Sequence, residues 1–209
     1  PLVRENLAVM KAETHAALAS SLALTDLVAR IDDGSASEDD VAWHRILVNA
    51  NKYVTSIEAT RVVHRGIEAL GGNGTIEDFS PLPRLYRDAI VFESWEGTHN
   101  VLCAQVLRDV TRLDAVDLVL DRVRAIGDGL SNVLERLEYG LVRAVAEPEW
   151  GALQGRRQVT TLVRLVQCLA LIRDGEDAAA DLIGRSRLTR GWVPEGDAGY
   201  ERAIDAVLA

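Results

Sequence analysis

The residues able to do chemistry gather in one stretch, 68–100, EALGGNGTIEDFSPLPRLYRDAIVFESWEGTHN. It carries a carboxylate, Glu96, between Trp95 and Gly97 and just ahead of Thr98, His99 and Asn100. A carboxylate shielded from water can remove a proton from carbon, and a glycine beside it lets backbone come close to a ligand. Read without context, Glu96 is equally an acid stabilised by the positive end of a helix beginning near Gly97. Thr98, His99 and Asn100 would form the opening turn of that helix, whose free N–H groups suit anionic or carbonyl groups. Gly71-Gly72-Asn73-Gly74 resembles a phosphate-cradling loop only weakly. It follows a helix, where a dinucleotide-binding unit requires a strand, and by composition it is a helix C-cap. His15, His44 and His64 share no metal-ligand spacing and read as helix-surface or core-edge residues, so no metal site is expected. Cys103 and Cys168 lie far apart in apolar, helix-like stretches and are expected as buried free thiols.

The elements that must position these residues are helical. Residues 2–31 are rich in alanine, free of Gly and Pro, and apolar at Leu7, Met10, Leu18, Leu22 and Leu27, as a long helix requires. Asp32-Asp33-Gly34-Ser35 is a turn. A second long helix is expected after Ser37, its first turn marked by Glu38, Asp39 and Asp40, and it ends at Gly71-Gly72. Residues 73–83 lack periodicity and form a connection. A short helix from Arg84 to about Phe92 opens at Pro83, and a longer one runs from Gly97 to about Leu113. Further helices are expected near 115–146, 152–173, 176–188 and 199–208, separated by Glu147-Pro148, Gly175 and the loop from Gly191 to Gly199. The segment 159–172 is apolar enough to be buried on most sides. With no strand pattern, the expected fold is all-α, an up-and-down four-helix-like bundle with a further helical tail.

The 209 residues suffice for a core without disulfides or metals, and 48% apolar with 26% charged residues is ordinary for globular proteins. No apolar run reaches the roughly 18 residues of a membrane span, and PLVRENLAVM lacks the layout of a secretory signal, so the expected compartment is the cytoplasm. A net charge of −9 opposes attraction to nucleic acid. Only residues 150–190 are mildly basic, with seven Arg against four acids. Arg156, Arg157, Arg164, Arg185, Arg187 and Arg190 could line one face there, which limits the expectation to weak, salt-sensitive binding.

The succession ALGGNG, PRLYRDA and WEGTHN, in that order and at close spacing, resembles the C-terminal helical domain of the FAD-dependent acyl-CoA dehydrogenases. The Leu-Pro-Arg-Leu-Tyr-Arg and Trp-Glu-Gly-Thr forms look most like the AidB-like, adaptive-response branch. The resemblance implies a helical bundle over 1–113 and a helical C-terminal extension over 114–209 packed on it. It implies an oxidoreductase that desaturates an acyl-CoA thioester, with Glu96 as the α-proton base and FAD as the hydride acceptor. Trp95 and Gly97 then neighbour the substrate, Thr98, His99 and Asn100 contact the flavin, and Glu68, Gly71 and Gly72 approach the FAD pyrophosphate of a neighbouring subunit. A homodimer or homotetramer follows from the same resemblance, with an electron-transfer partner that the sequence does not identify. The chain alone is expected to be inactive, since the family's flavin pocket needs further domains. The alternative is a non-catalytic module for oligomerisation or nucleic-acid protection.

Overall fold

Alanine dictates how the first two helices meet. In a computed structural model, which describes residues 1–189 and 197–209, helix α1 (Leu2–Asp32) buries Ala8, Ala12, Ala16 and Ala19 along one side. A row of methyl groups at that spacing lets a neighbour lie close. The neighbour is α2 (Glu38–Leu70), which presents Trp43, Ile46, Leu47, Ala50, Tyr53 and Val54. Its start follows the sequence signal. The Ser37 hydroxyl accepts from the Asp40 N–H at 3.1 Å, and the Asp40 carboxylate accepts from the Ser37 N–H at 3.2 Å, a reciprocal cap. Asp40 also receives Arg30 at 3.0 Å and Arg122 at 2.8 Å, and these bonds hold its carboxyl down at about 2.

Gly71 ends α2 at φ +61°, and a tight turn over Gly71–Thr75 follows. Here Gly74, and neither of the first two glycines, is fixed by packing: a Cβ on it would stand 2.4 Å from the Ile67 carbonyl oxygen. Helix α3 (Leu82–Ser94) and α4 (His99–Arg112) then pack along α2. The single helix expected over 115–146 is two, α5 (Val116–Arg124) and α6 (Ser131–Ala146), because Gly127 sits at φ +79°, outside any right-handed helix. Helix α7 (Pro148–Arg173) follows, then α8 (Asp177–Ile183), which runs into a π-helical turn over Gly184–Leu188, and α9 (Ala198–Leu208). Arg190 and most of the expected 191–199 loop lie outside the described residues. Among the described residues there is no strand, and no helix is long and apolar enough to cross a membrane.

Helix α7 is the hub, touching α1, α2, α4, α5, α6 and α8. Its 159–172 stretch is buried as expected, at Leu162, Val163, Leu165, Val166, Cys168 and Leu171. The Cys168 thiol, pushed up to about 12 by burial, and the Cys103 thiol on α4, pushed up to about 11 for the same reason, are both free. The stretch is not purely apolar. Arg164 and Gln167, at most 2% exposed, meet the buried carboxylates of Glu13 on α1 and Glu58 on α2. Gln167 Nε2 donates to Glu58 at 2.9 Å, Arg164 donates to Gln167 Oε1 at 3.1 Å and contacts Glu58 directly. Glu13 also accepts from Arg65 at 3.1 Å and Arg187 at 2.7 Å. Desolvation pushes Glu58 up and Arg164 down from their ordinary values, and their attraction opposes both shifts.

Candidate functional site

The turn between α3 and α4 concentrates the unusual backbone of the chain. Trp95 closes α3, its N–H donating to the Val91 carbonyl at 3.1 Å. Its indole stacks on Phe92, with ring centroids 5.8 Å apart and planes 2° from parallel. These rings are 54% and 60% exposed, so they form an apolar shelf on the surface. Glu96 follows at φ +64° and Gly97 at φ +129°. A positive φ on a non-glycine residue costs on the order of 1 kcal/mol, and the Glu96 side chain, next in the chain to Trp95 of the shelf, is exposed. Thr98 starts α4 without a side-chain cap, which leaves the first N–H groups of that helix uncapped by it.

His99 points back into the protein. Its ring meets Tyr53 edge-on at 5.3 Å, and Nε2 lies 3.5 Å from the Glu93 carboxylate. That nitrogen is buried and makes no hydrogen bond among the described residues. Burial holds the imidazole below its ordinary value, against a smaller upward pull from Glu93. Glu93 is thus a half-buried partner of His99, and its carbonyl receives Lys52 Nζ at 3.4 Å. Asn100 Oδ1 accepts from Arg156 Nε at 2.8 Å, which ties the opening of α4 to α7. Tyr53, Glu93 and Arg156 escape sequence reading because each joins the turn from a distant stretch or faces inward by a packing choice that local pattern does not record.

Glu68, Gly71 and Gly72 occupy the other end of the bundle. All three are exposed, and nothing lies within 4 Å of a Cβ built on either glycine. Fifteen residues of α2 separate Glu68 from Tyr53, the contact of His99, which is about 22 Å at the α-helical rise. The Trp95–Asn100 turn and the Glu68–Gly72 corner are therefore two surfaces in one copy of the chain. Of the arginines expected on one face, Arg156, Arg157 and Arg187 line one cleft, and Arg164 and Arg185 do not join them. Arg164 is inside, and Arg185 is paired with Asp181 and Asp197 at 2.8 Å. Arg190 lies outside the described residues. Among the described residues no cluster of three or more His, Cys, Asp or Glu is placed to hold a metal.

Residues 1–111 match the family model described as the acyl-CoA dehydrogenase C-terminal domain. AidB of Escherichia coli (strain K12) is 30% identical over 168 residues, 80% of this chain and 30% of that protein. Acyl-CoA dehydrogenase family member 11 of Caenorhabditis elegans is 27% identical over 179 residues, 78% of this chain and 28% of its own length. The crystal structure of Caenorhabditis elegans ACDH-11 in complex with C11-CoA has the same fold, with a TM-score of 0.71 at 24% identity, over 98% of this chain and 35% of that one. The likeness in fold thus runs through α5–α9, and the chain spans about a third or less of the length of these relatives.

Proposed function

The chain belongs to the acyl-CoA dehydrogenase family, and from that premise we propose that it is the C-terminal part of a flavin-dependent, AidB-like oxidoreductase that desaturates an acyl-CoA thioester. The observation that carries the proposal is Glu96, exposed at a positive φ immediately before Gly97 and next in the chain to Trp95 of an open aromatic shelf. The Glu96 carboxylate takes the α-proton onto an oxygen while the β-hydrogen leaves as hydride, so the thioester loses two hydrogens and gains a carbon–carbon double bond. When bound, FAD supplies the acceptor for that hydride.

The residues present fit the cofactor as a group shared between copies of the protein. The uncapped start of α4 offers N–H groups on one surface, and the open Gly71-Gly72 corner with Glu68 offers close backbone approach on another. Thr98, His99 and Asn100 hold the flavin of one copy, and Glu68, Gly71 and Gly72 approach the pyrophosphate of its neighbour. Trp95, with the flavin when it is bound, excludes water from the reacting carbons, a condition a carboxylate base needs, and Gly97 lets the backbone come close to the substrate. A homodimer or homotetramer covers the shelf, and residues 1–113 form the bundle that 114–209 extends. We place the enzyme in the cytoplasm, with at most weak affinity for nucleic acid at a net charge of −9.

The test is anaerobic mixing of the complete flavoprotein with saturated acyl-CoAs of increasing chain length while flavin absorbance is followed. Bleaching with at least one of them is expected. No bleaching with any would leave the shelf as an assembly surface and the chain as an oligomerisation module.

A further inference from the structure

A cleft of about 550 Å³ runs between α6, α7 and the π-helical turn, and among the described residues Arg136, Arg156, Arg157 and Arg187 line it without an acidic side chain. In a chain of net charge −9 this is a local inversion of sign. The four are not equally committed. Arg187 is neutralised by Glu13 at 2.7 Å, and Arg156 is held by Asn100. Arg136 donates only to the Leu188 carbonyl at 3.3 Å, and Arg157 has no side-chain partner among the described residues.

Two further features point to a ligand. The Gln158 side chain also lines the cleft and is 7% exposed. Its amide occupies space left by Gly140, where a Cβ would stand 2.2 Å from Oε1. The missing side chain at Gly140 thus makes room for an amide at the cleft wall, a group that can both donate to and accept from a ligand. Opposite the arginines stand Tyr139 and Trp150, edge to face at 6.4 Å. Arg143 fixes this pair, lying 4.6 Å over the Trp150 ring, donating to the Tyr139 hydroxyl at 3.1 Å and held in turn by Glu147. Tyr139 is nonetheless 62% exposed.

We propose that this cleft binds a small nucleotide, its phosphates on Arg157 and Arg136 beside the Gln158 amide and its base against Tyr139. Guanidinium groups match phosphate oxygens in pairs, and the aromatic wall supplies a stacking face. The volume suits a single small molecule. Charge favours a short ligand over a long one: with screening over about 8 Å, a nucleotide feels the arginines, while an extended polyanion also meets the acidic surface around them.

Calorimetric titration of the complete protein with ADP, CoA, inorganic pyrophosphate and a single-stranded oligonucleotide tests this, using R157Q, Y139A and R173Q. ADP is expected to bind once per chain and to weaken at least tenfold in R157Q. Y139A should weaken ADP several-fold and leave pyrophosphate unchanged, and R173Q, on the same helix outside the cleft, should match the parent. If CoA shows the same dependence on Arg157 the nucleotide end of a coenzyme is a source, and if it does not the ligand is a free nucleotide. The proposal is overturned if ADP shows no binding at millimolar concentration, if R157Q binds ADP as the parent does, if pyrophosphate equals ADP and Y139A changes neither, or if only the oligonucleotide binds.

Discussion

Glu96 and His99 sit three residues apart and face opposite ways, one outward at a strained φ and the other inward on Tyr53. In the complete protein Glu96→Gln keeps size and hydrogen bonding but removes the acceptor of the α-proton. Flavin content should stay unchanged while the rate of flavin reduction by acyl-CoA falls by roughly 10²–10⁴. Reduction at the parental rate would remove Glu96 from the mechanism. His99 makes a prediction about pH. Burial lowers its affinity for a proton, so the ring is neutral at pH 7, and NMR titration should give a midpoint below the ordinary 6.5. Glu93→Gln removes the upward pull and should lower the midpoint further. Because the folded state binds this proton less well than the unfolded chain, His99 should cost stability as pH falls below about 6.5. A midpoint unchanged in Glu93→Gln would show that the 3.5 Å approach carries no coupling.

At the level of elements, Asp40 is a joint: it caps α2, receives Arg30 from the end of α1 and receives Arg122 from α5. Its carboxyl, held at about 2, contributes stability that is complete above the ordinary 3.8 and lost as pH drops through about 2. Asp40→Asn should cost about 1–3 kcal/mol at pH 7 by urea denaturation, and the difference should close between pH 4 and pH 2. A constant difference across that range would assign the effect to packing. The cap itself was legible in the sequence, since Ser37 followed by three acids is a local signal. The helices from α1 to α4, α7 and α9 were legible for the same reason, their periodicity and punctuation being local. The break between α5 and α6 was not, because 115–146 is apolar at helical spacing on both sides of the break, where the positive φ of Gly127 and a 3-10 turn over Asp128–Leu130 interrupt it. Likewise Gly71 and Gly72 drew attention as a pair, while packing on Ile67 fixed Gly74, a contact visible only in three dimensions.

Across the whole molecule, one continuous core joins every described helix except α3, and a buried ionic cluster sits inside it. The sequence showed α7 as an apolar helix and treated Arg164 as a surface charge. Its partners Glu13 and Glu58 are more than 100 residues away in the chain, beyond any local pattern. Arg164→Met should destabilise the protein by about 3–5 kcal/mol, because it leaves Glu58 buried without a counter-charge. Adding Glu58→Gln should recover a large part of that loss in thermal denaturation. A double variant as unstable as the single one would locate the damage in packing. The site divided in the same way between what is local and what is not. The Trp95–Asn100 motif was readable as a string, but the separation of its turn from the Glu68–Gly72 corner follows from the length of α2. Finally, the two suppressed thiols turn the protein into its own clock. Cys103 sits on α4 and Cys168 on α7, each hidden and protonated at neutral pH, so a thiol reagent can modify either only during a transient opening. Labelling at one common rate would mean that the helices of both halves open as a single cooperative unit, whereas faster loss of Cys168 would reveal a C-terminal half that unlatches while the bundle stays shut.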